Sequence, residues 1–325
     1  MQYFKFSLLF TLLGLTLAFW WGGAVALSFA VLLAILEISL SFDNAIVNAS
    51  ILHTMQPLWQ RRFFTWGILI AVFLIRLVLP VCIVALLTHS NLSDALLLAI
   101  QSPGDYSKQL IDCRVLTSTF GGLFLLLVSC SFFFHQNTQK YWLNPIEKIF
   151  MRFNRFKFSE TIFALIILFT LQTFIPHAHR AEMIISGLVA IALFTILTYL
   201  TNYLNQKAVS STNKGIIPFL YLEILDASFS LDGIVGAFAI TQDLIIILIG
   251  LAIGAIFVRS ITLFLVHHGT IKKYLYLKHG AYYAIGSLGC IMLMDIFITV
   301  PGIITGAISF GLIASAFLCS KEQKK

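Results

Sequence analysis

The sequence predicts an all-α polytopic membrane protein: about ten transmembrane helices arranged as two inverted five-helix repeats, with spans 2 and 7 broken. Three observations carry this prediction. Apolar blocks are long enough to cross a bilayer, basic residues gather in alternate connections, and an acidic motif occurs twice.

Of the 325 residues, 59% are hydrophobic and 11% charged, and the mean hydropathy is +0.94. A soluble domain carries roughly twice that share of charge. The apolar blocks fall near 5–21, 24–52, 63–88, 115–134, 159–175, 183–203, 216–240, 243–266, 281–299 and 302–319. Gly22-Gly23, Pro176, Pro301-Gly302 and Thr241-Gln242-Asp243 separate neighbours. The mixed 89–114 segment is expected to lie at the interface or to fold partly back. The five cysteines form no CxxC or CxxH pattern and read as packing residues.

The net charge of +7 would suggest nucleic acid in a soluble protein. Here the basic residues lie in short connections, so topology accounts for them and no nucleic-acid role is expected. With the N-terminus inside, sixteen of the 21 Lys and Arg fall on one face and three on the other, while Arg76 and Arg259 lie within spans. That bias predicts N-in, C-in topology. The basic 135–158 linker reads as a cytoplasmic helix near anionic lipid.

The acidic motif is EISLSFDNAIVNA, from Glu37, in span 2 and DASFSLDGIVGA, from Asp226, in span 7. In the following span of each copy a glycine precedes an arginine by nine residues, Gly67 before Arg76 and Gly250 before Arg259. The copies start five spans apart, so the second enters the membrane from the opposite side. Residues 1–182 then form the first repeat and 183–325 the second.

Intramembrane charges are costly unless they pair or line a wet cavity. If ionised, Glu37, Asp43, Asp226 and Asp232 exceed Arg76 and Arg259 by two negative charges, which one divalent cation or protons can balance. Carboxylates with Asn44 and Asn48 form an oxygen-rich set suited to Mn²⁺, Ca²⁺ or Mg²⁺. Six residues along an ideal helix rotate by about 240°, so the two acids of one copy share a face only if the helix breaks. Asp43 and Asp232 form the expected central pair, with Glu37, Asp226, Asn44, Asn48 and Glu223 around it and Arg76 and Arg259 compensating charge. His177, His179, His267 and His268 read as exposed loop residues. Asp295 reads as an exit-path or interfacial residue, and Gly250xxxGly254 as close helix packing.

The two acidic segments and YLKHGAYYAIGSLG resemble the TerC family of bacterial integral membrane proteins, and within it the longer DUF475-type branch of the LysE-like transporter superfamily. The resemblance implies export of a divalent cation, manganese foremost. It places the family's acidic motifs on Glu37, Asp43 and Asn44 and on Asp226 and Asp232. Gly233 departs from the hydroxyl or amide residue often found there. The expected function is therefore secondary transport of a divalent metal, in exchange for protons, with no catalytic site and no cofactor beyond the bound or transported ion. Membrane lipids, the cation and a second copy of the chain are the expected partners. The alternatives are transport of calcium, a tellurium species or an amino acid, and a metal-binding assembly or stress-response partner that transports nothing.

Overall fold

The computed structural model describes residues 4–135, 141–152, 159–206, 215–238 and 240–322; the side chains of Leu231 and Asp232 lie outside that description. In chain order the helices are α1 (Lys5–Leu40), α2 (Phe42–Leu52), α3 (Pro57–Leu69), α4 (Leu79–Leu87), α5 (Leu92–Gln101), α6 (Pro103–Asp112), α7 (Arg114–Phe134), α8 (Asn144–Arg152), α9 (Ser159–Leu171), α10 (His177–Gln206), α11 (Ile216–Phe238), α12 (Leu244–His267), α13 (Thr270–Lys273), α14 (Leu277–Asp295) and α15 (Gly302–Glu322). A π-helical stretch, Ile70–Val78, joins α3 to α4. The protein is thus all-α, and among the described residues six helical stretches are long and apolar enough to cross a membrane.

Two compact units emerge, one from Met1–Arg114 with Leu222–His268 and the other from Val115–Tyr221 with Gly269–Lys325. Each draws on both predicted sequence halves.

In the first unit α12 is the central post. Along the first limb of α1, Ser7 hydrogen-bonds Ser260 and Trp21 Nε1 donates to Asp243 Oδ2 at 3.0 Å. Gly22 and Gly23 then leave helical geometry, Gly23 with φ of +66°, a left-handed conformation that favours glycine. Beyond them the order of partners reverses: Leu33 meets Gly250 and Glu37 meets Gly254. The chain therefore doubles back at the predicted Gly-Gly break, and both limbs pack on α12. Asp243 caps α12 by accepting from Ile245 N at 2.9 Å and Ile246 N at 3.3 Å. Asp243→Ala removes this cap and the Trp21 bond, an expected loss of about 1 kcal/mol that thermal unfolding in detergent would detect. The mixed 89–114 segment forms two short helices, α5 and α6. Outward-facing apolar side chains on α1, such as Leu12 (66% exposed) and Trp20 (83% exposed), suit contact with lipid.

Glycines set the helix crossings of the second unit. A Cβ on Gly122 would stand 2.9 Å from the Gly289 carbonyl oxygen, and one on Gly289 2.8 Å from that of Gly122, so α7 and α14 touch backbone to backbone. Ser129 adds a hydrogen bond to the Tyr282 carbonyl at 2.8 Å. Within the predicted basic linker, α8 docks by its buried Glu147, whose Oε1 accepts from Leu143 N at 3.3 Å and whose Oε2 lies 3.7 Å from His279 Nε2. Burial pushes the Glu147 carboxyl above the usual carboxylate range. Ile146 and Ile149 of the same helix stay exposed, which fits a helix lying against lipid.

Candidate functional site

The site lies within the first unit, where α1, α2, the π-helical stretch, α11 and α12 supply charged side chains. Its first feature is an interruption in span 2. Ser41 stands between α1 and α2 with φ of −99° and ψ of 15°. The hydrogen bonds from Ser41 N to Glu37 O (3.0 Å) and from Ala45 N to Ser41 O (3.1 Å) still bridge the joint. The predicted break between Glu37 and Asp43 is therefore a local kink. The predicted break in span 7 is absent: α11 runs uninterrupted through Asp226 and Asp232. That segment holds no proline or other residue that would remove an i to i−4 hydrogen bond. Its two acids thus stay roughly 240° apart around the helix.

The ion pairs begin at Glu37, 5% exposed, which is bound by Arg76 and accepts from Ser41 Oγ at 3.3 Å. Arg76 reaches it from the π-helical stretch, whose wider turn lets its guanidinium donate to the Ala71 carbonyl five residues back, at 2.9 Å. Arg76 also lies 4.0 Å from Asp226 Oδ2. The same oxygen is 3.4 Å from Arg259, which binds Glu223 through both of its terminal nitrogens at 3.2 and 2.9 Å. Arg259 further donates to the Phe63 carbonyl at 3.0 Å and stacks its guanidinium over the Phe63 ring at 4.2 Å.

Asn44 ties this chain of charges to Asp43. Its Nδ2 donates to Asp226 Oδ1 at 3.0 Å and its backbone N–H to Asp43 Oδ1 at 2.8 Å. Asp43, Asn44 and Asn48 are 1%, 0% and 2% exposed. Among the described residues, the side-chain oxygens of Asn44 and Asn48 and the Ser230 hydroxyl have no hydrogen-bond partner, an unusual state for buried polar atoms.

Glycines make room for these side chains. A Cβ on Gly67 would strike the Arg259 guanidinium and Glu223 Oε1, and one on Gly254 would strike the Glu37 stem. Gly67 of the repeated Gly–Arg spacing is thus a seat for the second copy's ion pair. Gly250xxxGly254 is a packing seam, as its spacing indicated. Gly233 lies beside Glu37, whose Oε2 would be 3.2 Å from an added Cβ.

Set against the sequence expectations, the structure gathers Glu37, Asp226, Glu223, Asn44, Arg76 and Arg259 into one buried network, with Asp43 bonded to Asn44 and Asn48 on the same helix. The Asp232 side chain lies outside the described residues. Arg76 and Arg259 hold oxygens of Glu37, Asp226 and Glu223 at ion-pair distance. Among the described residues no group of three or more His, Cys, Asp or Glu is placed to hold a metal. His177 and His179 are exposed, as are His267 and His268, and Asp295 accepts from Val300 N at 2.8 Å, closing the turn after α14. Sequence reasoning missed the π-helical delivery of Arg76 and the Phe63 carbonyl, since neither leaves a local pattern.

If ionised, three carboxylates of the network face two guanidiniums, and Asp43 raises the excess to two negative charges. A buried excess of this sign favours a cation or a proton and disfavours an anion. No curated protein and no solved structure matches the chain. One family does match, over residues 42–325, with the description "Protein of unknown function (DUF475)". A multi-pass membrane protein with buried acidic and basic ion pairs, this chain belongs to the DUF475 family.

Proposed function

We propose that the protein is a secondary transporter that exports a divalent cation, Mn²⁺ foremost, across the inner membrane in exchange for protons. The observation that carries this reading is the buried acidic excess around Asp43 and Asp226, beside amide oxygens of Asn44 and Asn48 left without partners. Oxygen donors of this kind suit a hard divalent ion. The resemblance of the two acidic segments to TerC-type exporters supports the same choice.

In this reading Asp43 and Asp232 are the central ligands, assisted by Asn44 and Asn48. Arg76 and Arg259 hold Glu37, Asp226 and Glu223 while no cation is bound. An arriving ion competes with the guanidiniums for these carboxylates, and protonation of an acid releases the ion again. Ten spans in two inverted five-helix repeats, with both termini inside, would present the site alternately to each side. The matched pairs Arg76–Glu37 and Arg259–Asp226, each within one sequence copy, support that symmetry.

Equilibrium binding of Mn²⁺ to purified protein tests the ligand assignment. Asn48→Leu is expected to weaken binding about tenfold or more, the loss of one good ligand, while Asn48→Asp retains it. Undiminished binding by Asn48→Leu, with the variant folded, would remove Asn48 from the site.

A further inference from the structure

A cavity lies wholly within the second unit, at the C-terminal end of α7, the first turn of α9 and the last turns of α10. It measures about 460 Å³ and is lined by Ser131, His135, Glu160, Thr161, Thr195 and Asn202, with Phe194 and Tyr199 among the aromatic walls. Most of the lining residues carry polar groups, which is unexpected between apolar helices. Glu160 is 7% exposed, and its Oε2 accepts from the Ser159 hydroxyl at 3.3 Å. Among the described residues no lysine or arginine pairs with it. A carboxylate buried to this degree is costly to hold unpaired, and a cationic ligand would offset that cost.

The other groups present acceptors as well. His135 Nδ1 lies 3.2 Å from the Ser131 carbonyl, which in the neutral ring places the proton on Nδ1 and leaves Nε2 as an acceptor. Thr195 Oγ1 donates to the Ile191 carbonyl at 2.7 Å and lies 3.5 Å from Thr161 Oγ1, so what these two threonines have left for a ligand is lone pairs. A metal fits less well, because among the described residues no group of three His, Cys, Asp or Glu exists and the volume is that of an organic ligand site. We propose that this cavity binds a primary ammonium group, with Glu160 as its counter-ion and the His135 ring and threonine hydroxyls accepting its N–H bonds. An ammonium carries three donors and no acceptor, the complement of this lining, and the aromatic walls add cation–π attraction. The group can come from a phosphatidylethanolamine headgroup or from a soluble amine. This site is separate from the acidic network, and its test reads binding rather than transport.

Native mass spectrometry of the full chain in detergent, offered phosphatidylethanolamine, phosphatidylcholine and phosphatidylglycerol, is the experiment, alongside thermal shifts with free ethanolamine. The expected result is preferential retention of phosphatidylethanolamine, competed by ethanolamine and reduced about tenfold or more in Glu160→Gln. A shift with ethanolamine but no lipid preference, again lost in Glu160→Gln, assigns the site to a soluble amine. Asn202→Leu, at the exposed rim, narrows the cavity without removing a buried charge and should weaken binding even if Glu160→Gln misfolds. Equal binding of every lipid and amine by wild type and by a folded variant of either kind would overturn the proposal.

Discussion

Replacing Arg259 with alanine is expected to destabilise the protein by about 3–5 kcal/mol, the usual cost of stranding one side of a buried ion pair. Arg259 holds both oxygens of Glu223 and one of Asp226, all buried, and its removal also uncovers the Phe63 carbonyl. Denaturant titration in a defined detergent micelle would measure the loss. Pairing Arg259→Met with Glu223→Met should recover a large part of it, since no unpaired Glu223 charge then remains and Asp226 keeps Asn44. A loss under about 1 kcal/mol in the single variant would mean that water or another cation already screens Glu223 and Asp226.

The second large effect belongs to Gly254. A side chain there would occupy the space now filled by Cβ and Cγ of Glu37, and the Ala34 carbonyl stands 3.3 Å from the same position. Gly254→Leu is therefore expected to cost about 1–3 kcal/mol or more through overpacking. It should also push Glu37 away from Arg76. Gly311, where an added Cβ meets nothing within 4 Å, supplies the contrast: Gly311→Leu should leave stability within about 0.5 kcal/mol of wild type. If both glycine variants melt alike, α1 and α12 do not pack as closely as their contacts indicate.

Both effects trace to features that the sequence revealed only in part. Apolar blocks, the Gly22-Gly23 reversal and the Gly250xxxGly254 seam were legible because each rests on local rules of length, backbone freedom and side-chain size. The repeated acids and the two arginines were legible as intramembrane charges for the same reason. Which acid meets which arginine was not, because Glu37 finds Arg76 across 39 residues and Asn44 finds Asp226 across 182. Charge counting gave the acidic excess and the compensating role of the arginines, but not their pairing geometry. The expected break in α11 failed for a simpler reason: Ser, Asp and Gly lower helix propensity without forbidding the helix, and packing prevails. Glu160 escaped notice because an acid at the edge of an apolar block looks like an ordinary span boundary; only α7 and α10 turn it into part of a cavity.

The central claim is that the acidic excess serves a transported cation rather than helix register alone. Mn²⁺ flux into sealed proteoliposomes, followed with an internal metal-sensitive dye under an imposed pH gradient, tests it most directly. The comparison is wild type against Asp43→Asn and Asp232→Asn, the two proposed central ligands. The account predicts flux by wild type that depends on the gradient and is lost in both variants while both remain folded. Folded, correctly inserted wild-type protein that moves no Mn²⁺ under either gradient direction, or variants that transport as well as wild type, would contradict it.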